Sequence, residues 1–340
     1  MRARRSASLL LLFVACAAPG SQPSAERSPT VSAPVVASAR PSTVVSPGVL
    51  PLSTVEFSCV LPVYGYAGAG AFISFPARTL AKAKESGYYY DRAVLRWLPA
   101  FRWQVSPDGL SYAYTEGWSA EPPKAPRLHI ANAATGKDQR VVTMPDAKPF
   151  QVVDFTGAAI YLVISFEGTA PGVWRVNRGG SAAAKVSNGF YQLPGATWIG
   201  VVDPRDPHPS RSLAYGTAQP NRVDRRDDAG RTTTWFYAPG SALSWVAFSG
   251  TPAVLISAFR QDSPTAAVDH VYWLVEGPGR ATRVQFSVGA SIDLAGGFGS
   301  AIADAHGIWL GASGSLYLVR RSGAILRVFD GSVYPANGCF

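Results

Sequence analysis

Only four histidines occur in the 340 residues, His129, His208, His270 and His306, and none has a partner at the spacing that marks a zinc site. HExxH, a P-loop, a GxSxG nucleophile elbow and a calcium loop are also missing. The common routes to metal-assisted hydrolysis, phosphoryl transfer and serine hydrolysis therefore have no visible machinery. Lysine is scarce, 6 residues against 25 arginines. The one basic cluster, Arg222, Arg225, Arg226 and Arg231, is interleaved with Asp224, Asp227 and Asp228. Nucleic-acid recognition needs an unopposed basic footprint, so no nucleic-acid partner is expected. Apolar runs are short: Leu9 to Val14 is far below the roughly 20 residues that a membrane-spanning helix requires.

What that run does have is a basic lead-in, Arg2, Arg4 and Arg5, which together with it gives the n-region and h-region of a secretory signal over residues 1–15. Removing those three arginines takes the formal charge from +9 to +6 (9 − 3). Residues 16–54 that follow are mostly Ala, Pro, Ser and Val, a composition that cannot bury enough surface to offset the entropy of ordering. They read as a tether, and residues 55–340 as one folded domain.

That domain is organised around Val105 to Val142. Ser106-Pro107-Asp108-Gly109 is a tight turn in which Pro presets φ and Gly supplies a positive φ. Ser111 to Tyr114 then reads as a strand, as does Arg127 to Asn132, before Thr135-Gly136 turns the chain into Lys137 to Val142. The second turn recurs at Gly180, Gly230, Gly279 and Gly323, at steps of 44, 50, 49 and 44 residues. The first recurs at Gly157, Gly250 and Gly307, with the loop Pro204 to Pro209 standing in once. A period in this range is a propeller signature. The fold expected is all-β, a six-bladed β-propeller of four-stranded antiparallel blades, with seven blades as the alternative. In blade one, Tyr90-Asp91-Arg92-Ala93 is expected where the second turn falls.

SPDG before an aliphatic strand, with a later strand ending in TG, resembles the WD-like and Tol-type periplasmic propeller repeats of bacteria. GIWLG and LYLV near the C-terminus are similar to sensor propellers of two-component regulators. Leu12-Phe13-Val14-Ala15-Cys16 resembles a lipobox, in which Cys16 becomes the lipidated first residue, although Phe13 departs from the usual Leu. An ordinary signal cut near Ala15 or Ala18 is the alternative. With Cys16 so used, Cys59 and Cys339 remain, at the first strand of blade one and after the last strand of blade six. Ring closure sets those blades side by side, and export favours a disulfide, two buried free thiols being the other reading. The resemblance implies a lipoprotein outside the cytoplasm, periplasmic or at the cell surface.

The family includes scaffolds, receptors and a few enzymes, so function does not travel with it. Both glycine-turn series join strands in the same sense and emerge on one face of the disc. The longer connections emerge on the other, and there a binding face is expected around Trp118, Glu121, Glu167, Arg260 and Asp262. The ligand would be a protein, a small molecule or a carbohydrate, bound by a monomer that meets the membrane only through its lipid. The alternative is a lyase or lactonase, as some propellers are, with Asp154, Asp203 and Asp304 ringing the central channel and a divalent cation there. No cofactor is otherwise expected. A third reading is an extracellular sensor component.

Overall fold

The computed structural model describes residues 50–340 apart from 117–124, 146–148, 165–171, 188–197, 209–218, 228–230, 249–252, 261–268, 286–300 and 313. Strands β1 (Cys59–Tyr64), β2 (Ala69–Phe75) and β3 (Thr79–Ser86) open the first blade. A hairpin follows, β4 (Tyr89–Asp91) and β5 (Arg96–Leu98), and then blade two, β6 (Ser111–Thr115), β7 (Arg127–Asn132) and β8 (Asp138–Thr143). The bridge Val105 to Tyr112 supplies the inner edge of blade two. Blade three is β9 (Phe150–Phe155), β10 (Ala159–Ile164), β11 (Val173–Asn177) and β12 (Ala183–Ser187).

Blade four contributes β13 (Trp198–Val201), β14 (Arg222–Arg226) and β15 (Thr232–Tyr237). Blade five is β16 (Ala242–Phe248), β17 (Val254–Arg260), β18 (Asp269–Gly277) and β19 (Arg280–Arg283). Blade six is β20 (Ala301–Asp304), β21 (Gly307–Ala312), β22 (Ser315–Val319) and β23 (Ile325–Asp330). The final strand, β24 (Tyr334–Pro335), returns to pair with β1. The described residues thus form six antiparallel sheets of three or four strands, arranged in a ring, with one extra hairpin. No helix among them is long and apolar enough to cross a membrane.

Strand side chains alternate between faces, and in a propeller each face meets a different neighbour. Blade six shows the consequence. Ile308, Leu310, Tyr317 and Val319 pack with Leu255, Tyr272 and Leu274 of blade five, while Trp309, Leu316 and Leu318 pack with Leu61, Val63 and Ile73 of blade one. Its strand β22 is buried at every position, which is why LYLV reads as a continuous apolar run rather than an alternating one. Trp174, Trp235 and Trp273 fill similar interblade slots.

The expected turns are found where they are described. Gly109, Gly136, Gly279 and Gly323 have φ of 71°, 71°, 66° and 83°. At Gly323 the constraint is double, since a Cβ there would also lie 2.4 Å from the Arg283 carbonyl oxygen of blade five. Gly230 and Gly250 lie outside the described residues.

Three expectations need correction. The second turn of blade one is not Tyr90 to Ala93 but the link between β2 and β3, through Pro76 and Arg78, the latter at φ 57°. Residues 90–93 belong instead to the inserted hairpin. That hairpin is a wedge: Trp97 packs with Tyr64 and Phe72 of blade one, and Tyr89 and Leu98 pack with Tyr112 and Ala131 of blade two. Packing also begins before residue 55, the expected end of the tether. Leu50 is buried on blades five and six, and Leu52 pairs in parallel with Arg327 of the outermost strand.

The third correction concerns Pro204 to Pro209, expected on the glycine-turn face. Asn221 and Pro220, at the far end of this β13–β14 connection, bond Ala238 and Leu243, where the chain passes from β15 into β16. The start of an inner strand marks the face of the long connections, so the described residues of this loop, 204–208, lie there.

Candidate functional site

The ring of carboxylates expected around the channel does not form. Asp154 lies in β9 opposite Tyr161 and Asp304 ends β20, both toward the glycine-turn face, whereas Asp203 follows β13 and falls on the opposite face, where its amide donates to Asn221. Asp304 is moreover committed to closing the fold. Its Oδ1 accepts from the His306 amide (2.7 Å), and its Oδ2 accepts from Trp309 Nε1 (2.6 Å) and the Cys339 amide (2.8 Å). One side chain so joins the inner turn of blade six to the C-terminal segment of blade one. The disulfide Cys59–Cys339, with Cα atoms 5.6 Å apart, holds the same seam.

Asp203 is buried and shared by two arginines, Arg205 Nη2 at 2.6 Å and Arg222 Nη1 at 2.7 Å. The Arg205 guanidinium and amide hold its carboxyl well below the usual carboxylate range. Arg222 also forks onto Asp224 at 3.0 and 2.9 Å, the bidentate geometry that arginine favours. Asp206 accepts from Asn221 Nδ2 and the Gly240 amide, both at 2.7 Å. Of the interleaved acids and arginines of the sequence, Arg222 and Asp224 therefore belong to an internal network of blade four with Asp203. Arg231 pairs with Asp227 at 2.7 Å and Arg225 lies over the Trp235 ring at 5.1 Å.

In blade two, His129 Nδ1 lies 2.8 Å from Asp138 Oδ2, and Nε2 lies 3.1 Å from Glu116 Oε1 without the alignment of a hydrogen bond. Its ring stacks on Tyr114, centroids 4.8 Å apart, and Arg127 clasps Glu116. That hydrogen bond from Arg127 draws the Glu116 carboxyl down to about 2, and His129 lowers Asp138. The Ser106 hydroxyl, with Arg178, brings Asp108 to about 2. Carboxylates with depressed values stabilise the fold above their unfolded pKa, near 4, and lose that contribution as pH falls toward their folded value. The melting temperature is expected to be flat from pH 7 to about 5 and to fall between about 4 and 2, modestly for these exposed pairs, which water screens. Glu116→Gln is expected to flatten the upper part of that drop, and a calorimetric pH series checks it.

Of the expected binding residues, Trp118, Glu121, Glu167 and Asp262 lie outside the described residues. Arg260 ends β17, and its side chain is likewise not among those described. The described part of the same face carries something the sequence reading passed over. Tyr64 ends β1 and Tyr334 begins β24, which places both on the long-connection face. From them a run of rings extends: Tyr64 meets Tyr88 edge-on at 5.4 Å, Tyr88 stacks on Phe101 at 4.7 Å, and Phe101 stacks on Trp103 at 4.7 Å and 7°.

Tyr66, at the tip of the β1–β2 loop, is 95% exposed, beside Ala67 at φ 53°. The O atom of Gly68 in that loop accepts from the Gly87 amide, which seats the loop beside Tyr88. The signal for this patch was present as three aromatic-dense runs, VYGYAG, GYYYD and FRW. They are distant in sequence, and only the inserted hairpin unites them. Among the described residues no group of three or more His, Cys, Asp or Glu is placed to hold a metal ion.

The fold and this geometry define a closed, disulfide-stapled, six-bladed β-propeller. No known family pattern matches the sequence, and no curated protein matches it in sequence. Solved structures are similar in architecture. An acylaminoacyl peptidase of Pyrococcus horikoshii shares 11% identity over 81% of this chain and 46% of its own, with a TM-score of 0.44. TolB from Acinetobacter baumannii shares 13% over 83% of this chain and 67% of its own, at 0.36. The β-propeller domain of the trilobed protease from Pyrococcus furiosus shares 11% over 82% and 85%, at 0.41. The chain thus spans about half the length of the peptidase. The likeness is one of blade architecture alone.

Proposed function

We propose that this protein is an exported, lipid-anchored propeller that binds a protein or carbohydrate partner at the cell envelope through its long-connection face. The observation that carries this reading is the run of rings from Tyr64 to Trp103 with the fully exposed Tyr66 beside it. A soluble domain has little reason to leave a tyrosine 95% exposed next to half-buried aromatics, and aromatic side chains dominate the few residues that supply most binding energy. Export is supported by the signal pattern of residues 1–15 and by the disulfide. Anchoring rests on Cys16.

Replacing Tyr66 by Ala removes almost no buried surface, so the melting temperature should stay within the range of neutral surface changes, about ±0.5 kcal/mol. Capture of the partner from detergent-solubilised membranes should weaken by roughly tenfold or more if Tyr66 is an anchor. Unchanged capture by Tyr66→Ala and by Trp103→Ala would overturn the reading. Cys16→Ser should release the protein from the membrane fraction, and retention there would overturn the anchor.

The lyase or lactonase reading has lost the convergence of Asp154, Asp203 and Asp304 on which it depended.

A further inference from the structure

On the glycine-turn face, at the seam between blades six and one, an open cleft of about 480 Å³ is lined by Glu56, Phe57, His306, Arg320, Arg321 and Ser322. It is independent of the aromatic face on the other side. Its walls come from three segments that are tied together. His306 is fixed by the hydrogen bond its backbone N–H donates to Asp304, Phe57 lies two residues from the disulfide at Cys59, and the turn bearing Arg320 is closed by its own backbone hydrogen bonds with Gly323 and Ala324. Gln285 of blade five pins that turn from outside through Gly323. A cleft with walls so held does not have to be ordered by what enters it, which lowers the entropic cost of binding.

The chemistry of the lining is specific in three respects. The guanidinium of Arg320 has no ion-pair partner among the described residues, and Arg321 has only a long contact, 3.6 Å, to Glu276. Two adjacent arginines with spare donors suit an oxyanion. The Ser322 Oγ accepts weakly from the Ala324 amide at 3.4 Å, which leaves its O–H to donate. The half-buried His306, also in the lining, lies flat on Phe57, ring centroids 3.8 Å apart at 13°, a pair of rings beside which a planar guest can pack. Glu56 brings a negative charge into the same space, so the lining totals +1 (two arginines and one glutamate), and a multiply charged anion is disfavoured.

We propose that this cleft binds a small planar monocarboxylate, an aromatic ring bearing one carboxyl group, with the carboxylate on Arg320 and Ser322 and the ring along the His306–Phe57 pair. The test uses the exported protein and three probes followed by amide chemical shifts of residues 305, 306 and 320–322: benzoate, acetate, which has the carboxylate without the ring, and benzyl alcohol, which has the ring without the charge. Benzoate is expected to saturate those shifts at least about tenfold more tightly than benzyl alcohol, since a charged hydrogen bond contributes that much or more, and more tightly than acetate, which has no ring to pack along His306 and Phe57. Arg320→Ala should weaken benzoate about tenfold or more, and Glu56→Gln should strengthen it by about twofold to fivefold.

Both positions are on the surface, and a melting curve confirms that each variant is folded. Should Arg320→Ala fail to fold, the Glu56→Gln result and the three-probe ranking still decide. Acetate binding as tightly as benzoate, shifts confined to other residues, no saturation by benzoate, or weakening by Glu56→Gln would each overturn the proposal.

Discussion

Replacing both Cys59 and Cys339 by serine is expected to lower the stability of the propeller by about 2–5 kcal/mol. The bond joins residues 280 apart in sequence, and a loop of that length gains the most in the chain-entropy account, with roughly 5 kcal/mol as its upper end. The loss should fall short of that bound because the seam has other ties. Strand β24 pairs with β1 at Val63↔Pro335 and Tyr64↔Tyr334. Val60 and Phe340 exchange two backbone bonds, at 2.8 and 3.1 Å, and Ala336 donates to Pro62 at 2.9 Å.

Those ties involve few residues, so without the covalent link the last segment should open locally before the ring unfolds. Urea unfolding of the double variant, with hydrogen exchange at Ala336 and Phe340, measures both effects. A midpoint unchanged within error, with the C-terminal amides still protected, would mean that packing alone closes the ring.

The second large effect is expected at Asp304, where alanine should cost about 3 kcal/mol. The carboxylate accepts from three donors, and one of them, the indole N–H of Trp309, belongs to a side chain with 0% exposure. Removing the acceptor strands that donor in an apolar cluster shared by two blades, and a buried unmatched donor costs about 1–3 kcal/mol. Asn at this position keeps one acceptor oxygen and should recover part of the loss. Because Asp304 and the disulfide both hold Cys339, their effects should fall short of additivity when combined. Full additivity in a double-mutant cycle would show that the two act on different openings of the molecule.

The period of the turns was legible because backbone chemistry at a turn is local: Gly109, Gly136, Gly279 and Gly323 adopt φ values that other residues reach only with strain. The pairing of Cys59 with Cys339 was legible for a related reason, since a ring of repeats must bring its ends together. Other features depend on which segments meet. Residues 90–93 look like a blade turn because a hairpin insertion uses the same turn residues, and nothing local distinguishes a wedge from a blade. Asp203, Asp154 and Asp304 look alike as strand-end acids, yet Asp203 lies on the other face because β13 is hydrogen-bonded directly to β14 and the end of their connection, at Pro220 and Asn221, bonds the chain entering blade five.

The aromatic patch and the seam cleft were hidden for the same cause. Tyr66, Tyr88 and Trp103 come from separate runs, and Phe57 meets His306 across nearly the whole chain.

By itself, then, the order of amino acids determined that this chain builds repeated small antiparallel sheets, at what interval they reverse, and which two sulfurs meet when the ring closes. These follow from dihedral preference and from a strand's alternation of side chains, both properties of a few neighbouring residues. Tertiary structure alone decided which end of each blade an acid occupies, that the last strand completes the first blade, and where rings and charges collect into surfaces. Such outcomes depend on contacts between residues far apart in the chain, whose energies no local pattern records.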